Sequence, residues 1–134
     1  ASNNDLDMFS ETRTAAILAK AVANDAAGFD AFTALRAATL GGAKAIGFGD
    51  RTGSIEPGKQ ADLVCVDLSP LETQPLHHVV SQLVYATGRH QVSDVWIAGQ
   101  PKLQSRALVG FDVDAITANA RQWRDRISSL RTGA

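Results

Sequence analysis

The stretch from about residue 5 to Asn24 most constrains the fold, because its apolar side chains would cover nearly the whole circumference of a helix. Asp5 or Asp7 can cap its first amides, and polar residues crowd only into residues 10–14. Such a helix needs cover on more than one side, which a chain of 134 residues can hardly supply. We therefore expect it to pack against further protein. Its large apolar residues are Leu6, Met8, Phe9, Ile17, Leu18 and Val22.

A second helix is predicted from Ala31 to about Leu40, with Asp30 as its cap. Gly41-Gly42 is predicted to interrupt it, and residues 43–46 to add one further turn. A dense cluster of turn residues follows between positions 52 and 59. The region up to about residue 47 is therefore expected to be mainly helical and to pack poorly by itself.

Short strands are predicted around tight turns in the middle of the chain. Residues 63–66 form a continuous apolar run, which predicts a buried strand with Cys65 in the core. Residues 92–98 predict a second strand, Gly99-Gln100 a two-residue turn, and Lys102-Leu103 the start of a return strand. Two or three strands are few for an independent sheet, so this part is expected to complete layers formed by other protein.

Two more helices are indicated by apolar spacing. Between Leu76 and Val84 the spacing favours a short helix, with a strand as the alternative. Near the end of the chain an apolar stripe lies opposite arginines, which predicts an amphipathic helix with Trp123 at the centre of its buried face. The stripe consists of Ile116, Ala120, Trp123, Ile127 and Leu130.

Charge and cysteine content exclude several classes of protein. The formal net charge of −1 argues against electrostatic binding to nucleic acid, and no apolar run approaches the roughly 20 residues that cross a bilayer. We therefore expect neither nucleic acid nor membrane as a partner. The single cysteine excludes a disulfide within the chain and suits a cytoplasmic location.

By residue chemistry alone, the chain holds no complete active site. His77 and His78 are adjacent, and His90 has no carboxylate at ligand spacing, so all three are expected at a surface or interface. Cys65 has no neighbouring base that would make it a nucleophile. The polar run Ser2, Asn3, Asn4, Asp5 could contact a ligand or could simply cap the first helix through Asn4 or Asp5.

Three stretches resemble the amidohydrolase superfamily, in the order in which that superfamily has them. Residues 37–47, AATLGGAKAIG, resemble its late AT-x-x-GA-x-x-x-G helix. Residues 53–64, GSIEPGKQADLV, are similar to its G-x-I-x-x-G-x-x-ADLV segment and form the most specific of the three signals. Residues 95–100, VWIAGQ, resemble the V-x-V-x-G hairpin that closes its small β domain.

Within the superfamily, the opening ASNNDLDMF followed by Glu11-Thr12-Arg13 most resembles deaminases of 5′-methylthioadenosine and S-adenosylhomocysteine. Chlorohydrolases and guanine-deaminase-like proteins are close alternatives. The resemblance implies an α/β chain: the C-terminal fragment of a metal-dependent (β/α)₈ barrel, plus part of a small composite β-sandwich, closed by a C-terminal helix. The expected parts are residues 1–49 as the last barrel helices, 50–110 as sandwich strands with a short helix, and 111–134 as the closing helix.

The resemblance also implies roles for individual residues. Ser2, Asn3 and Asn4 would line or brace the substrate mouth, and Glu11 and Arg13 would form a structural pair on the last barrel helix. The sandwich would be shaped by Gly53, Gly58, Ala61 and Asp62.

The same resemblance implies a divalent metal, usually zinc, that activates water for attack on an aromatic ring carbon with loss of ammonia. The superfamily's metal ligands and catalytic glutamate do not occur in this chain, so no catalytic residue and no metal ligand is assigned and no metal is expected to bind to it alone. The expected partners are the remainder of the barrel and a purine-type small molecule, and the resemblance also allows a homodimer.

The leading hypothesis is therefore the C-terminal third of a deaminase for an adenosine-like compound. A related chlorohydrolase or guanine deaminase is the alternative among enzymes. A non-catalytic binding or scaffold domain is the alternative of another class. Sequence upstream of Ala1 would discriminate the enzymes from the non-catalytic domain, because only the enzymes require an HxH strand there.

Overall fold

The computed structural model describes residues 5–132, which contain five α-helices and a four-stranded antiparallel sheet. The chain runs from helices through the sheet to a last long helix, as the sequence predicts. The helices are α1 (Met8–Ala23), α2 (Ala31–Arg36), α3 (Gly42–Ala45), α4 (Val79–Tyr85) and α5 (Val113–Thr132). The strands are β1 (Leu63–Val66), β2 (Val92–Ile97), β3 (Gln100–Gln104) and β4 (Ala107–Leu108).

The first helices begin where the sequence places their caps. Asp7 accepts hydrogen bonds from the amides of Phe9 and Ser10 at 2.9 and 3.4 Å, so Asp7 caps α1. Asp30 accepts from the amide of Thr33 at 2.8 Å, which confirms it as the cap of α2. These carboxylates satisfy amide groups that have no partner within the helix.

The predicted interruption at Gly41-Gly42 is wrong. Both glycines have right-handed helical geometry, with φ of −62° and −60°, and a π-helical turn over Ala37–Gly41 joins α2 to α3. The amide of Gly42 donates to the carbonyl of Ala37, five residues back, so hydrogen bonding continues through the pair. Glycine permits a helical break but does not impose one.

A small core lies where α1, α2 and α4 meet. Its buried residues are Ala16, Ala31, Ala34 and Val84, and partly buried aromatic and branched side chains pack around them. Three of the four are alanines, so the helices approach each other closely. Large apolar residues of α1 stay outside this core: Met8, Ile17, Leu18 and Val22 are each more than half exposed. The expectation that α1 is poorly covered is confirmed for residues 5–132.

The sheet has the strand order β1-β2-β3-β4, and neighbouring strands are antiparallel. The predicted burial of β1 is wrong, because Val64 is 57% exposed and Cys65 is exposed as well. Neighbouring residues of a strand point to opposite faces, so both faces are open at this edge strand. Cys65 is accordingly not a core residue. The sequence also did not predict β4, which has only two residues.

The β2–β3 hairpin turns one residue earlier than predicted. Ile97 pairs with Gln100, so the two turn residues are Ala98 and Gly99, with φ of 49° and 76°. Positive φ at both positions is typical of a type I′ turn, whose twist matches that of the strands.

Replacing Ala98 by asparagine should stabilise the protein by roughly 0.5–1 kcal/mol, because asparagine tolerates the left-handed region better than alanine does. The backbone amide of residue 98, which donates to Asp62, is retained in this variant. Thermal unfolding of the two proteins measures the difference. A lower midpoint for the Ala98→Asn variant would contradict the assigned turn.

The closing helix α5 is present, but its predicted burial is wrong for the part of the chain that the structure describes. Trp123 is 54% exposed, and Ile116, Ile127 and Leu130 are exposed to a similar or greater extent. The guanidinium of Arg126 lies 5.3 Å from the centre of the Trp123 ring and covers part of it. Within residues 5–132 the apolar stripe is therefore largely exposed.

Candidate functional site

The start of α1 is held to a distant part of the chain. Asp5 Oδ1 lies 2.7 Å from Arg89 Nη1, which joins residues 84 positions apart. Asp5 thus pairs with Arg89, while Asp7 caps the helix. Ser2, Asn3 and Asn4, the predicted substrate-mouth residues, lie outside the described residues.

Arg13 fixes α1 to the same distant segment. Its Nη2 donates to the carbonyl oxygen of Thr87 at 2.7 Å. Its Nε is buried and has no hydrogen-bond partner among residues 5–132. A buried donor of this kind normally has an acceptor, so Arg13 Nε is an exception among the described residues. The structural pair of Glu11 with Arg13 stays a prediction.

The connector, residues 86–91 between α4 and β2, is built from buried polar side chains that sequence reasoning missed. Thr87 and Gln91 are almost completely buried. Thr87 Oγ1 donates to the carbonyl of Gln82 at 3.0 Å, and Gln91 Oε1 accepts from the amide of Gly88 at 3.1 Å. Gln91 Nε2 also donates to the carbonyl of Asp67 at 3.2 Å. No periodic or motif signal marks these residues, because their partners are backbone groups of neighbouring elements.

Asp62, predicted to shape the small β domain, joins two loops. Its Oδ1 accepts from the amide of Ala98 at 2.6 Å and its Oδ2 from the Thr52 hydroxyl at 2.7 Å. These two donors, the Thr52 hydroxyl first, lower the pKa of Asp62. Ala61 contributes through its carbonyl, which accepts from the amide of Gly99 at 3.0 Å. Both residues therefore secure the β2–β3 turn.

Gly53 and Gly58 share a backbone geometry but differ in their surroundings. Both have φ of +91°, a region that favours glycine. A Cβ atom on Gly53 would lie 2.7 Å from Ala43 Cβ and 2.9 Å from Leu40 Cα, whereas a Cβ on Gly58 would have no atom within 4 Å. The lack of a side chain at Gly53 lets its loop contact the helical segment closely. At Gly58 glycine is needed only for the positive φ of the turn.

Asp67 at the end of β1 is strongly stabilised as a carboxylate. It accepts from the hydroxyl and amide of Ser69 at 2.6 and 3.0 Å and from Arg106 Nη2 at 2.9 Å. These donors, Ser69 first, lower the pKa of Asp67 from 3.8 to about 2. The Arg106 contact ties the end of β1 to the β3–β4 turn.

We expect Asp67 to stabilise the fold above about pH 4, with the contribution lost as the pH falls towards about 2. Its pKa is lower in the folded protein than in the unfolded chain, so acid protonates the unfolded chain first. Urea unfolding of the protein and of Asp67→Asn across this range should show the two midpoints converging on acidification. The exposed Asp50 supplies the matched control variant, Asp50→Asn. A midpoint difference that is independent of pH would contradict the assignment.

The histidines lie at the surface, as expected. His77, His78 and His90 are exposed, and His78 Nδ1 accepts from the amide of Ser81 at 3.1 Å, so His78 caps α4. Across residues 5–132, no group of three or more His, Cys, Asp or Glu side chains could hold a metal ion. None of the described helices is long and apolar enough to cross a membrane.

Known proteins similar to this chain agree with the resemblance seen in its sequence. Residues 1–102 match the sequence profile of the amidohydrolase family. A 5-methylthioadenosine/S-adenosylhomocysteine deaminase of Teredinibacter turnerae is 51% identical over 131 residues, which cover 98% of this chain and 30% of that protein. A protein of the same name from Saccharophagus degradans is 37% identical, covering 98% of this chain and 29% of that protein.

Solved structures give the same picture. A crystal structure of an adenosine deaminase from Xanthomonas campestris with bound zinc is 78% identical, with a TM-score of 0.93 over 96% of this chain and 29% of that one. An atrazine chlorohydrolase from Arthrobacter aurescens complexed with zinc is 28% identical, with a TM-score of 0.76 over 85% of this chain and 25% of that one. The chain thus spans less than a third of the length of these relatives.

Proposed function

Because the chain belongs to the amidohydrolase family, we propose that it is the C-terminal part of a metal-dependent aminohydrolase that deaminates an adenosine-like compound. The observation that carries this proposal is the 51% identity, over almost the whole chain, to a relative named for 5-methylthioadenosine and S-adenosylhomocysteine. In the reaction, water would replace the amino group on the purine ring, and ammonia would leave.

The catalytic metal would be held outside this chain, since the described residues do not fit a metal site. The zinc bound by the Xanthomonas campestris relative supports zinc as that metal. In the full-length protein, residues 1–49 would form the last helices of a (β/α)₈ barrel, residues 50–110 part of a β-sandwich, and residues 111–134 the closing helix. Ser2, Asn3 and Asn4 would border the substrate.

Uncovered apolar surface supports a partner in the remainder of the same protein. The exposed large residues of α1 provide an apolar face for it. Exposed apolar patches of this kind mark interaction surfaces. A cytoplasmic location is consistent with the exposed thiol of Cys65, which a reducing compartment keeps free.

The similarity to an atrazine chlorohydrolase supports a second candidate, hydrolysis of a different substituent on an aromatic ring. Its 28% identity is lower than the 51% and 37% of the two deaminases, so deamination remains the first proposal. The two reactions release different products, ammonia and chloride, which makes them easy to distinguish.

A direct assay tests the proposal. We expect the full-length protein to release ammonia from 5′-methylthioadenosine or S-adenosylhomocysteine, with less from guanine and no chloride from atrazine. The 134-residue chain alone should release none and should bind no stoichiometric zinc, because water activation needs a fixed set of metal ligands. Ammonia release by the chain alone would contradict a metal site outside this chain, and an inactive full-length protein would favour a binding or scaffold role.

A further inference from the structure

The apolar stripe of α5, extended by Val113 at the start of the helix, has the spacing of a seam between two helices. Its members recur at alternating intervals of three and four residues, which are the a and d positions of a heptad. The five large members are each at least half exposed. We call this set the α5 seam; it consists of Val113, Ile116, Ala120, Trp123, Ile127 and Leu130.

The α5 seam is narrow, because the positions on both sides of it are polar. Thr117 and Arg124 flank it at e positions, and Asn119 and Arg126 flank it at g positions. A helix that faces the core of a globular protein has a wider apolar face, which includes e or g positions, whereas a strict a and d seam fits one other helix. The α5 seam is therefore suited to a single helix as its partner.

We propose that this partner is α5 of a second copy of the protein, packed antiparallel to the first. In an antiparallel pair an a residue of one copy lies in the same layer as a d residue of the other. The two-fold symmetry forms each layer twice. The layers would join Val113 with Leu130, Ile116 with Ile127, and Ala120 with Trp123.

The central layers match in size only when the two helices are antiparallel. The large ring of Trp123 then faces the small Ala120 of the second copy, and alternating large and small residues fill a seam without voids. In a parallel pair Trp123 would face Trp123, and Ala120 would face Ala120. That arrangement crowds one layer and leaves a cavity in the next, and both defects are destabilising.

The charges along α5 favour the same orientation. Asp114 lies in the first turn, whereas residues 121–126 carry three arginines and one aspartate. Antiparallel helices place the acidic start of each copy beside the basic part of the other, and opposite charges attract. The two arginines that flank the α5 seam would face the uncharged Thr117 and Asn119 of the second copy, so no arginine faces another.

The oligomeric state of the full-length protein tests this pairing, independently of whether that protein deaminates any substrate. The α5 seam is short, so we expect a monomer–dimer equilibrium that sedimentation at about 10 and about 500 µM resolves. Ile127→Asp places a charge in the α5 seam and should weaken dimerisation about ten-fold or more. Gln122→Asp is the matched control, because it adds the same charge at an exposed position outside the α5 seam and should leave dimerisation unchanged.

Two results of this measurement would overturn the proposal. One is a protein that stays monomeric at both concentrations, which would favour coverage of the stripe by the remainder of the same protein. The other is a dimer that the two variants weaken equally, which would place the interface elsewhere.

Disulfide cross-linking tests the orientation of the two helices. In a Cys65→Ser background, which removes the only cysteine of these 134 residues, copies with Ile116→Cys are mixed with copies with Ile127→Cys. Antiparallel pairing brings the two positions into one layer, so linked dimers should form in the mixture and in neither variant alone, with the joined peptides identified by mass spectrometry. Links within each variant alone would indicate parallel helices, and either that result or a mixture without links would overturn the proposal.

Discussion

Replacing Gly53 by alanine is expected to destabilise the protein by about 3 kcal/mol, one of the two largest effects of a single substitution that we predict. The new methyl group would lie 2.7 Å from Ala43 Cβ and 2.9 Å from Leu40 Cα, closer than such atoms can approach. The second contact is with helix backbone, which cannot move aside as a flexible side chain does. Alanine would also be strained at φ of +91°.

Gly58→Ala is the matched control for this prediction. It has the same φ but no atom within 4 Å of the added methyl group, so only the backbone strain of roughly 1–2 kcal/mol should remain. Denaturant unfolding gives the free energy of unfolding of both variants, and the difference between them is the cost of the close contacts at Gly53. Equal destabilisation would show that the loop around Gly53 can move away from the helix.

The second large effect is expected at Trp123, in the full-length protein. If the remainder of the protein covers the stripe of α5, Trp123→Ala should cost roughly 3–5 kcal/mol, from lost burial and from the cavity left behind. Arg124 lies on the same helix and is exposed, so Arg124→Ala should cost no more than about 0.5 kcal/mol. Unfolding midpoints of the two variants provide the measurement.

The same pair of variants in the 134-residue chain gives the contrast. Here Trp123 is 54% exposed, so both substitutions should shift the midpoint only slightly. A similar difference between the variants in the chain and in the full-length protein would mean that this chain itself covers the stripe. Equal midpoints in the full-length protein would mean that α5 remains free there too.

Local order was predictable because its causes are local. The helix caps Asp7 and Asp30 act within three residues of themselves, and the amphipathic pattern of α5 needs only its own sequence. Strands β1 to β3 and their hairpin were located for the same reason, although the observed turn lies one residue earlier than predicted. The resemblance to amidohydrolases, also visible in short motifs, is confirmed by the family match.

Burial was predicted less well than secondary structure. An apolar run such as β1 indicates that a strand forms, but neighbouring elements decide whether its side chains are covered. Both faces are open at β1, so Val64 and Cys65 are exposed despite their apolar surroundings in the sequence. The break predicted at Gly41-Gly42 was also wrong for a reason outside the local sequence pattern. A π-helical turn continues the helix through these glycines, although glycine often ends a helix.

The sequence by itself determined the caps of α1 and α2, the order of the helices and of β1 to β3, and the family, because each depends on residues close together in the chain. Only the tertiary structure decided which distant groups meet. Asp5 contacts Arg89 and Arg13 contacts Thr87 across 84 and 74 residues, while Asp62 joins Thr52 to Ala98. Contacts between single polar groups leave no periodic trace in a sequence, because they depend on how helices and strands pack and not on spacing along the chain.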